Sequence, residues 1–383
     1  MAKQRFQTSP YHDLTLTLKD RRMLMELESE MVEDTFRKYE TYVMENCSVN
    51  EARWKHVKSK DDLHIYVKRT ERIQSIGSTL CGLFKRRSSA TASDKMLIVL
   101  SVGTFKGKLD DLMLGTLNYT RDLMHVKASY VGDYDDGAVL ATLATPTTEQ
   151  PFRSLSVKWF QIDLPFSSTG LVRNRDFICL EASGFLHFAN GDRVGYFMLH
   201  SIDSPQTQPL PNVERARHTM TGFFHQVGPD VIDTFCFDTV SPGGNIYRPF
   251  VLTICANALL SATNYVNCGH MMKLTWMLQR RQAALRLRGN SSQRSSVDGT
   301  CVACAGDLAT GTGVIGKGTC KLCMGGLCVG CKVVKTISFI APGGRLVRHK
   351  TTFCARCVRE TIMMNAEQAA RDQAEGFKAY NMF

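Results

Sequence analysis

No apolar run follows Met1-Ala2-Lys3-Gln4-Arg5, so the chain opens without the hydrophobic segment of a secretory signal. Ala2 stands where N-myristoylation needs glycine, and Asn381-Met382-Phe383 is neither a prenylation box nor a retention signal. The sequence has no GxSxG, no P-loop and no HExxH, and its 10 histidines occupy no recognisable catalytic setting. These gaps point away from an enzyme and towards a cytoplasmic protein. Acidic residues are missing where bases are dense. Between 286 and 357 stand eleven Lys and Arg but only two acids, Asp298 and Asp307, so this segment carries most of the net charge of +11. Its only large aromatics are Phe339 and Phe353, which leaves no stacking platform for bases. Nucleic acid is therefore not the expected partner. An anionic membrane or an acidic protein suits the charge better.

What is present suffices for a core. Hydrophobic residues make up 44% and charged residues 22% of 383, a globular composition with room for two or three domains. The 14 cysteines are uneven. Cys47, Cys81, Cys179, Cys236, Cys255 and Cys268 are scattered, and read as small core residues. The other eight form four CxxC pairs: Cys301/Cys304, Cys320/Cys323, Cys328/Cys331 and Cys354/Cys357, separated by 15, 4 and 22 residues. Without a secretory signal, such pairs point to metal rather than disulfides. A CxxC turn presents two sulfurs on one side, and two turns complete a tetrahedral thiolate site about 2.3 Å around Zn²⁺. Eight ligands make two closed, structural zinc sites.

Eight-ligand, two-zinc layouts occur in RING, PHD and FYVE fingers. The all-cysteine set and the central run Cys320-Lys-Leu-Cys323-Met-Gly-Gly-Leu-Cys328-Val-Gly-Cys331 resemble a FYVE finger over 299–360. That resemblance implies crossed ligation, with Cys301, Cys304, Cys328 and Cys331 on one zinc and Cys320, Cys323, Cys354 and Cys357 on the other. It also implies a hairpin, here 333–340 returning over 346–353 through Pro342-Gly343-Gly344. FYVE fingers dock on phosphatidylinositol 3-phosphate at endosomes. Of their basic signature only Lys317 and Lys321 have counterparts, and of their apolar insertion loop only Val314-Ile315. The WxxD and RVC motifs are absent. A RING- or PHD-like interaction scaffold with no lipid ligand is the alternative.

Upstream, 20–46 reads as a helix with Met25, Val32, Phe36, Tyr39 and Val43 on one face. Residues 63–68 read as a strand, 85–94 as a polar loop, 95–105 as an apolar strand or helix start, and 109–117 as a short helix. Strands follow at 155–160, 176–182, 185–189, 193–200, 223–227 and 231–240, with Asn190-Gly191 marking a hairpin. Residues 249–287 read as one long helix. Its first part, 249–272, holds no Asp, Glu, Lys or Arg, yet is interrupted by Asn257, Asn264, Asn267 and His270. A helix packed on a sheet accounts for it better than a membrane span. Arg175-Asp176-Phe177-Ile178-Cys179-Leu180-Glu181 resembles a strand opening of START domains, with Lys158-Trp159-Phe160 before it at a fitting distance, and the resemblance covers about 60–285. START proteins grip a long helix with a curved sheet around an apolar cavity. The resemblance implies a lipid or sterol there, with Leu259, Val266 and Met272 as lining.

The expected organisation is α+β. It has an N-terminal helical segment (1–59), a helix-grip START-like domain (60–288), a linker (289–299), a small all-Cys cross-brace FYVE/PHD-like zinc finger (300–360) and a helical tail (361–383). The expected setting is the cytoplasm, peripherally on endosomal membrane.

Overall fold

Thr17 and Asp20 bond reciprocally, side chain to backbone, and this capping box starts α1 (Leu18–Met44). The computed structural model describes residues 6, 8–69, 96–165, 167–287, 299–308 and 318–375. The polar loop 85–94, Lys317, Val314-Ile315 and the linker residues 289–298 lie outside them. The buried face of α1 is Leu24, Glu28, Val32, Thr35, Tyr39 and Tyr42. It is rotated from the expected face: Met25 is 48% and Val43 41% exposed. Two of its members are polar, so hydrophobicity alone misplaces it. Glu28 is buried because Arg153 (2.9 Å) and Tyr196 (2.8 Å) both donate to it.

The sheet is built from β1 (Trp54–Lys60), β2 (Leu63–Lys68), β3 (Leu97–Lys106), β4 (Asp136–Ala144), β5 (Ser154–Ile162), β6 (Asn174–His187), β7 (Arg193–Ser201), β8 (Val213–Arg215), β9 (Arg217–Gly228) and β10 (Val231–Ser241). Its order is β1-β2-β3-β10-β9-β7-β6-β5-β4, antiparallel throughout except that β8 pairs β6 in parallel. The expected strands at 176–182 and 185–189 are one, β6, and Asn190-Gly191 turns it into β7. Both faces of the central strands are covered. Ile178, Leu180 and Ala182 join the α1 side, while Phe177 and Cys179 join the other.

That other face carries α2 (Leu109–Thr116), α3 (Arg121–Val131), α4 (Arg248–Leu260) and α5 (Thr263–Leu287). The single helix expected at 249–287 is broken. The Ser261 hydroxyl donates to the Ala258 carbonyl at 2.6 Å, and α5 leaves at a 43° bend. α2 and α5 nearly touch through two glycines. A Cβ at Gly115 would meet the Tyr265 carbonyl oxygen at 1.9 Å, and one at Gly269 would meet that of Asp111 at 2.0 Å. No single helix among the described residues is long and apolar enough to cross a membrane. Only α4 and α5 taken together across their bend meet the limits of length and composition.

After the linker come β11 (Gly318–Thr319), β12 (Gly326–Leu327), β13 (Lys332–Ile340) and β14 (Leu346–Cys354), then α6 (Ala355–Met363) and α7 (Ala366–Ala374). The β13–β14 hairpin matches the expected one within a residue. Of the expected helical tail, 376–383 lie outside the described residues; α6 runs into its start from the expected finger, the chain turns at Met364-Asn365, and the Asn365 side chain caps α7. The cysteine-rich unit does not hang free. Met271, Leu274 and Leu278 of α5 share one buried cluster with Leu327, Ile337, Phe353 and Val358. The α+β, helix-grip architecture and the cross-braced cysteine unit are thus both present.

Candidate functional site

The two glycine-ended CxxC turns, 301–306 and 320–325, fold alike. In each, the carbonyl of the first cysteine accepts the N–H four residues on, Ala305 and Met324, both at 2.8 Å. The first cysteine's N–H then donates to a glycine carbonyl, Gly306 at 2.7 Å and Gly325 at 3.0 Å. Ala305 (φ 56°) and Met324 (φ 63°) are left-handed, a conformation unfavourable to side chains that turns the chain back beneath its sulfurs. Cys354 caps α6, its sulfur accepting the Cys357 N–H at 3.3 Å.

These turns gather the sulfurs into two groups of four, each group within 4.8 Å. One holds Cys301, Cys304, Cys328 and Cys331, the other Cys320, Cys323, Cys354 and Cys357. Cys304 and Cys328 sulfurs are 3.9 Å apart, Cys323 and Cys354 sulfurs 4.0 Å. A tetrahedral tetrathiolate site has edges of about 3.8 Å, so each group could hold a metal ion. The grouping is crossed: the first and third pairs meet, as do the second and fourth. The crossing is tied by the Val302 N–H to the Gly326 carbonyl (2.9 Å) and the Lys321 N–H to that of Thr352 (3.0 Å). Backbone hydrogen bonds, from Cys328 first, bring the Cys301 thiol down to about 6. Hydrogen bonding with the Cys328 and Cys304 sulfurs pushes Cys331 up to about 12.

Lys321 is exposed, and its backbone lies against β14. On that strand Arg348 and Lys350 are exposed as well. The sequence alone did not single them out, since only the fold sets Lys321 against their strand, through the Thr352 carbonyl.

Between the sheet and α4 lies a cavity of about 180 Å³. Phe160, Phe177, Phe197 and Phe224 form its floor, and Val251, Ile254 and Leu259 its roof. Of the three residues expected to line it, only Leu259 does. Val266 packs over Gly107, and Met272 lines a groove beside the β13–β14 turn. The bend at Ser261 turns α5 out of phase with α4, which a straight helix could not foretell.

Charge also lines this cavity. Lys127 meets Asp133 at 3.1 Å, and its ammonium lies 5.1 Å over each of the Phe197 and Tyr265 rings. Glu181 receives the buried Lys158 at 2.6 Å. Burial brings the Lys158 ammonium down to about 8, against the pull of Glu181. Among the motif residues quoted for the START resemblance, Lys158 and Glu181 thus form this pair, and Asp176 holds Arg215 at 3.0 Å. Lys127, Asp133, His218 and Asp238 belong to no motif and emerge only from the fold.

His218 Nε2 faces Asp238 Oδ1 at 2.8 Å, and each atom has only the other. Burial opposes the imidazolium, but the Asp238 charge and hydrogen bond outweigh it and raise the His218 pKa above 6.5. A raised histidine stabilises the fold fully below the unfolded value of about 6.5, and that contribution fades as pH climbs through the folded value. The thermal midpoint is therefore expected to fall on going from about pH 6 to about pH 9, and His218→Gln should flatten part of that fall. An unaltered pH profile in the variant would assign the effect elsewhere.

No family model and no curated protein matches the chain. Among solved structures it is similar to human STARD10, at 13% identity and a TM-score of 0.40, over 74% of this chain and 92% of that one. It is similar to human StAR-related lipid transfer protein 5, at 12% and 0.42, over 65% and 97%. A STAR-related lipid transfer protein from Xanthomonas axonopodis aligns at 14% and 0.36, over 56% and 96%.

Proposed function

We propose that the protein is a non-enzymatic lipid-binding adaptor, with a START-like domain over 60–288 and a FYVE-like finger over 300–360. The observation that carries this reading is the apolar cavity closed by α4, whose aromatic floor suits hydrocarbon and whose buried charges suit a polar end. The ligand is a lipid or sterol. Two Zn²⁺ ions, each held by one group of four cysteines, supply the structural cross-links of the finger. Lys317 and Lys321 are the lipid-headgroup contacts of this reading, and the exposed Arg348 and Lys350 of β14 add basic charge to it. An anionic membrane attracts such residues by up to about 1 kcal/mol each, and phosphatidylinositol 3-phosphate is the headgroup the FYVE likeness favours. The setting proposed with it is the cytoplasm, peripherally on endosomal membrane.

Cavity size favours one second reading. About 180 Å³ is below the roughly 300–1,000 Å³ of ordinary small-molecule sites, as expected if the domain serves only as an interaction scaffold. Under the lipid reading α4 opens at its bend to admit a ligand. Native mass spectrometry of the full chain separates the two. Two zinc increments plus a lipid increment support the carrier, and two zincs without lipid support the scaffold. Gly222→Leu sharpens the test. Gly222 lines the cavity, and an added Cβ meets Phe224 and Cys236 no closer than 3.5 Å. A larger side chain there is expected to fill the space and abolish the lipid increment with folding retained. Undiminished lipid in that variant would place the ligand elsewhere.

A further inference from the structure

We propose that metal loading of the finger and occupancy of the cavity are thermodynamically coupled, with α3 and α5 as their common wall. The proposal rests on the lipid and zinc reading above. It goes beyond that reading by making the finger part of the binding machinery.

Each helix serves both sites. α3 gives Met124 and Lys127 to the cavity. Two residues further on it holds the finger: the Ser129 hydroxyl bonds that of Ser338 at 2.8 Å, and the Ser338 N–H donates to the Tyr130 hydroxyl at 2.6 Å. α5 gives Tyr265 to the cavity and, from the next turns, Met271, Leu274 and Leu278 to the finger's core. At the cavity the two helices are locked together, because Lys127 lies over the Tyr265 ring. The finger's own apolar core is small, so its folding free energy is largely that of its metal. Two states follow. With metal, β13 holds Ser338 against α3 and covers three α5 side chains. Without it, that cover is lost, and the wall holding Lys127 and Tyr265 loosens. A cavity ligand touches the wall in its first arrangement only, so it favours the metal-loaded state. Linkage then requires the same factor in both directions, about 5–150-fold for typical couplings.

The test uses the full chain and a nitrobenzoxadiazole-labelled acyl probe. Probe affinity is measured with zinc bound and after chelation. Apparent zinc affinity is measured by competition against a chromogenic chelator, with and without saturating probe, which needs no stable metal-free protein. The expected result is a loss of probe affinity of about 5–150-fold on chelation and an equal gain in zinc affinity with probe. Tyr130→Phe with Ser129→Ala leaves all eight cysteines in place, so two zincs and probe binding should persist while the factor shrinks. A factor near one in the natural chain overturns the proposal, as does an undiminished factor in the variant. If no probe binds the zinc-loaded chain, the lipid reading falls by itself. Hydrogen exchange then decides the coupling: amides over 124–131 and 265–271 must exchange faster after chelation, and unchanged protection overturns it.

Discussion

Replacing Cys301 and Cys328 together with serine is expected to remove one metal ion and leave the other bound. Both sulfurs belong to one group, although 26 residues lie between them in sequence. Had the pairs been used in chain order, Cys301 would share an ion with Cys320 and Cys328 with Cys354, and the double change would disable both sites. Native mass spectrometry distinguishes the two, since one retained ion supports the crossed arrangement and none refutes it. The reverse pairing gives a control. Cys304→Ser with Cys320→Ser touches both groups and should release both ions. A structural zinc is worth about 10–16 kcal/mol in isolated fingers, as much as a whole domain's stability, so the half of the finger around a lost ion should unfold.

The two halves are not equally supported. The first group sits at the outer end, where Cys304 is exposed and Val302 and Val329 are 49% and 69% exposed. Both reach the core shared with α5, the first through Cys301 and Leu327 and the second through Cys320, Phe353 and Cys354, but only the second carries the strand and helix, β14 and α6, that meet at Cys354. Losing the first ion should therefore melt 299–308 and 326–331 while the hairpin and α6 stay folded. Losing the second removes the anchor of both β14 and α6. Hydrogen exchange across 332–363 after Cys320→Ser should rise throughout, whereas after Cys301→Ser with Cys328→Ser it should stay low.

The cysteine spacing was the most legible part of the sequence. Metal geometry imposes it locally, and few other chemistries need four CxxC pairs. A strand buried on both faces such as β7 was legible because the apolar run 194–199 straight after an Asn-Gly turn has few readings. The α1 face was not, because Glu28 is buried through Arg153 and Tyr196, far along the chain, and Thr35 is buried beside it. Nor was the break in 249–287. A serine hydroxyl bonding its own helix carbonyl leaves no mark that distinguishes it from any other helical serine. β1, α3 and β4 were missed as well. The outer edge strand β1 is mostly polar and exposed, with only Trp54 and Val57 half-buried, and the α3 residues that matter most, Lys127 and Tyr130, are polar groups whose partners lie elsewhere in the chain. The charges that line the cavity were hidden for the same reason: pairing across the fold, not pattern along the chain, makes their burial affordable.

Lys273→Met is expected to destabilise the chain by about 3–5 kcal/mol, the range for stripping one partner from a buried ion pair, and to loosen its last two helices. Lys273 and Asp111 are 0% and 1% exposed, and they meet at 2.5 Å. The same ammonium donates to the Ile362 carbonyl at 2.5 Å and to that of Met364 at 3.0 Å. Those carbonyls stand where α6 ends and the chain turns into α7, so one cation joins α2, α5 and the tail. Methionine matches the stem but satisfies neither the carboxylate nor the carbonyls, leaving Asp111 with His270 at 3.1 Å. Adding Asp111→Asn removes the stranded charge and should recover part of the loss, a coupling that a urea double-mutant cycle reads directly. The freed carbonyls have no such remedy. Proteolysis at Met364-Asn365 should therefore stay fast even in the double variant, unless the Trp276–Asp372 hydrogen bond of 2.8 Å and the packed alanines of α7 hold the tail by themselves. A cost below about 1 kcal/mol with the junction still protected would assign the tail's attachment to that second contact instead.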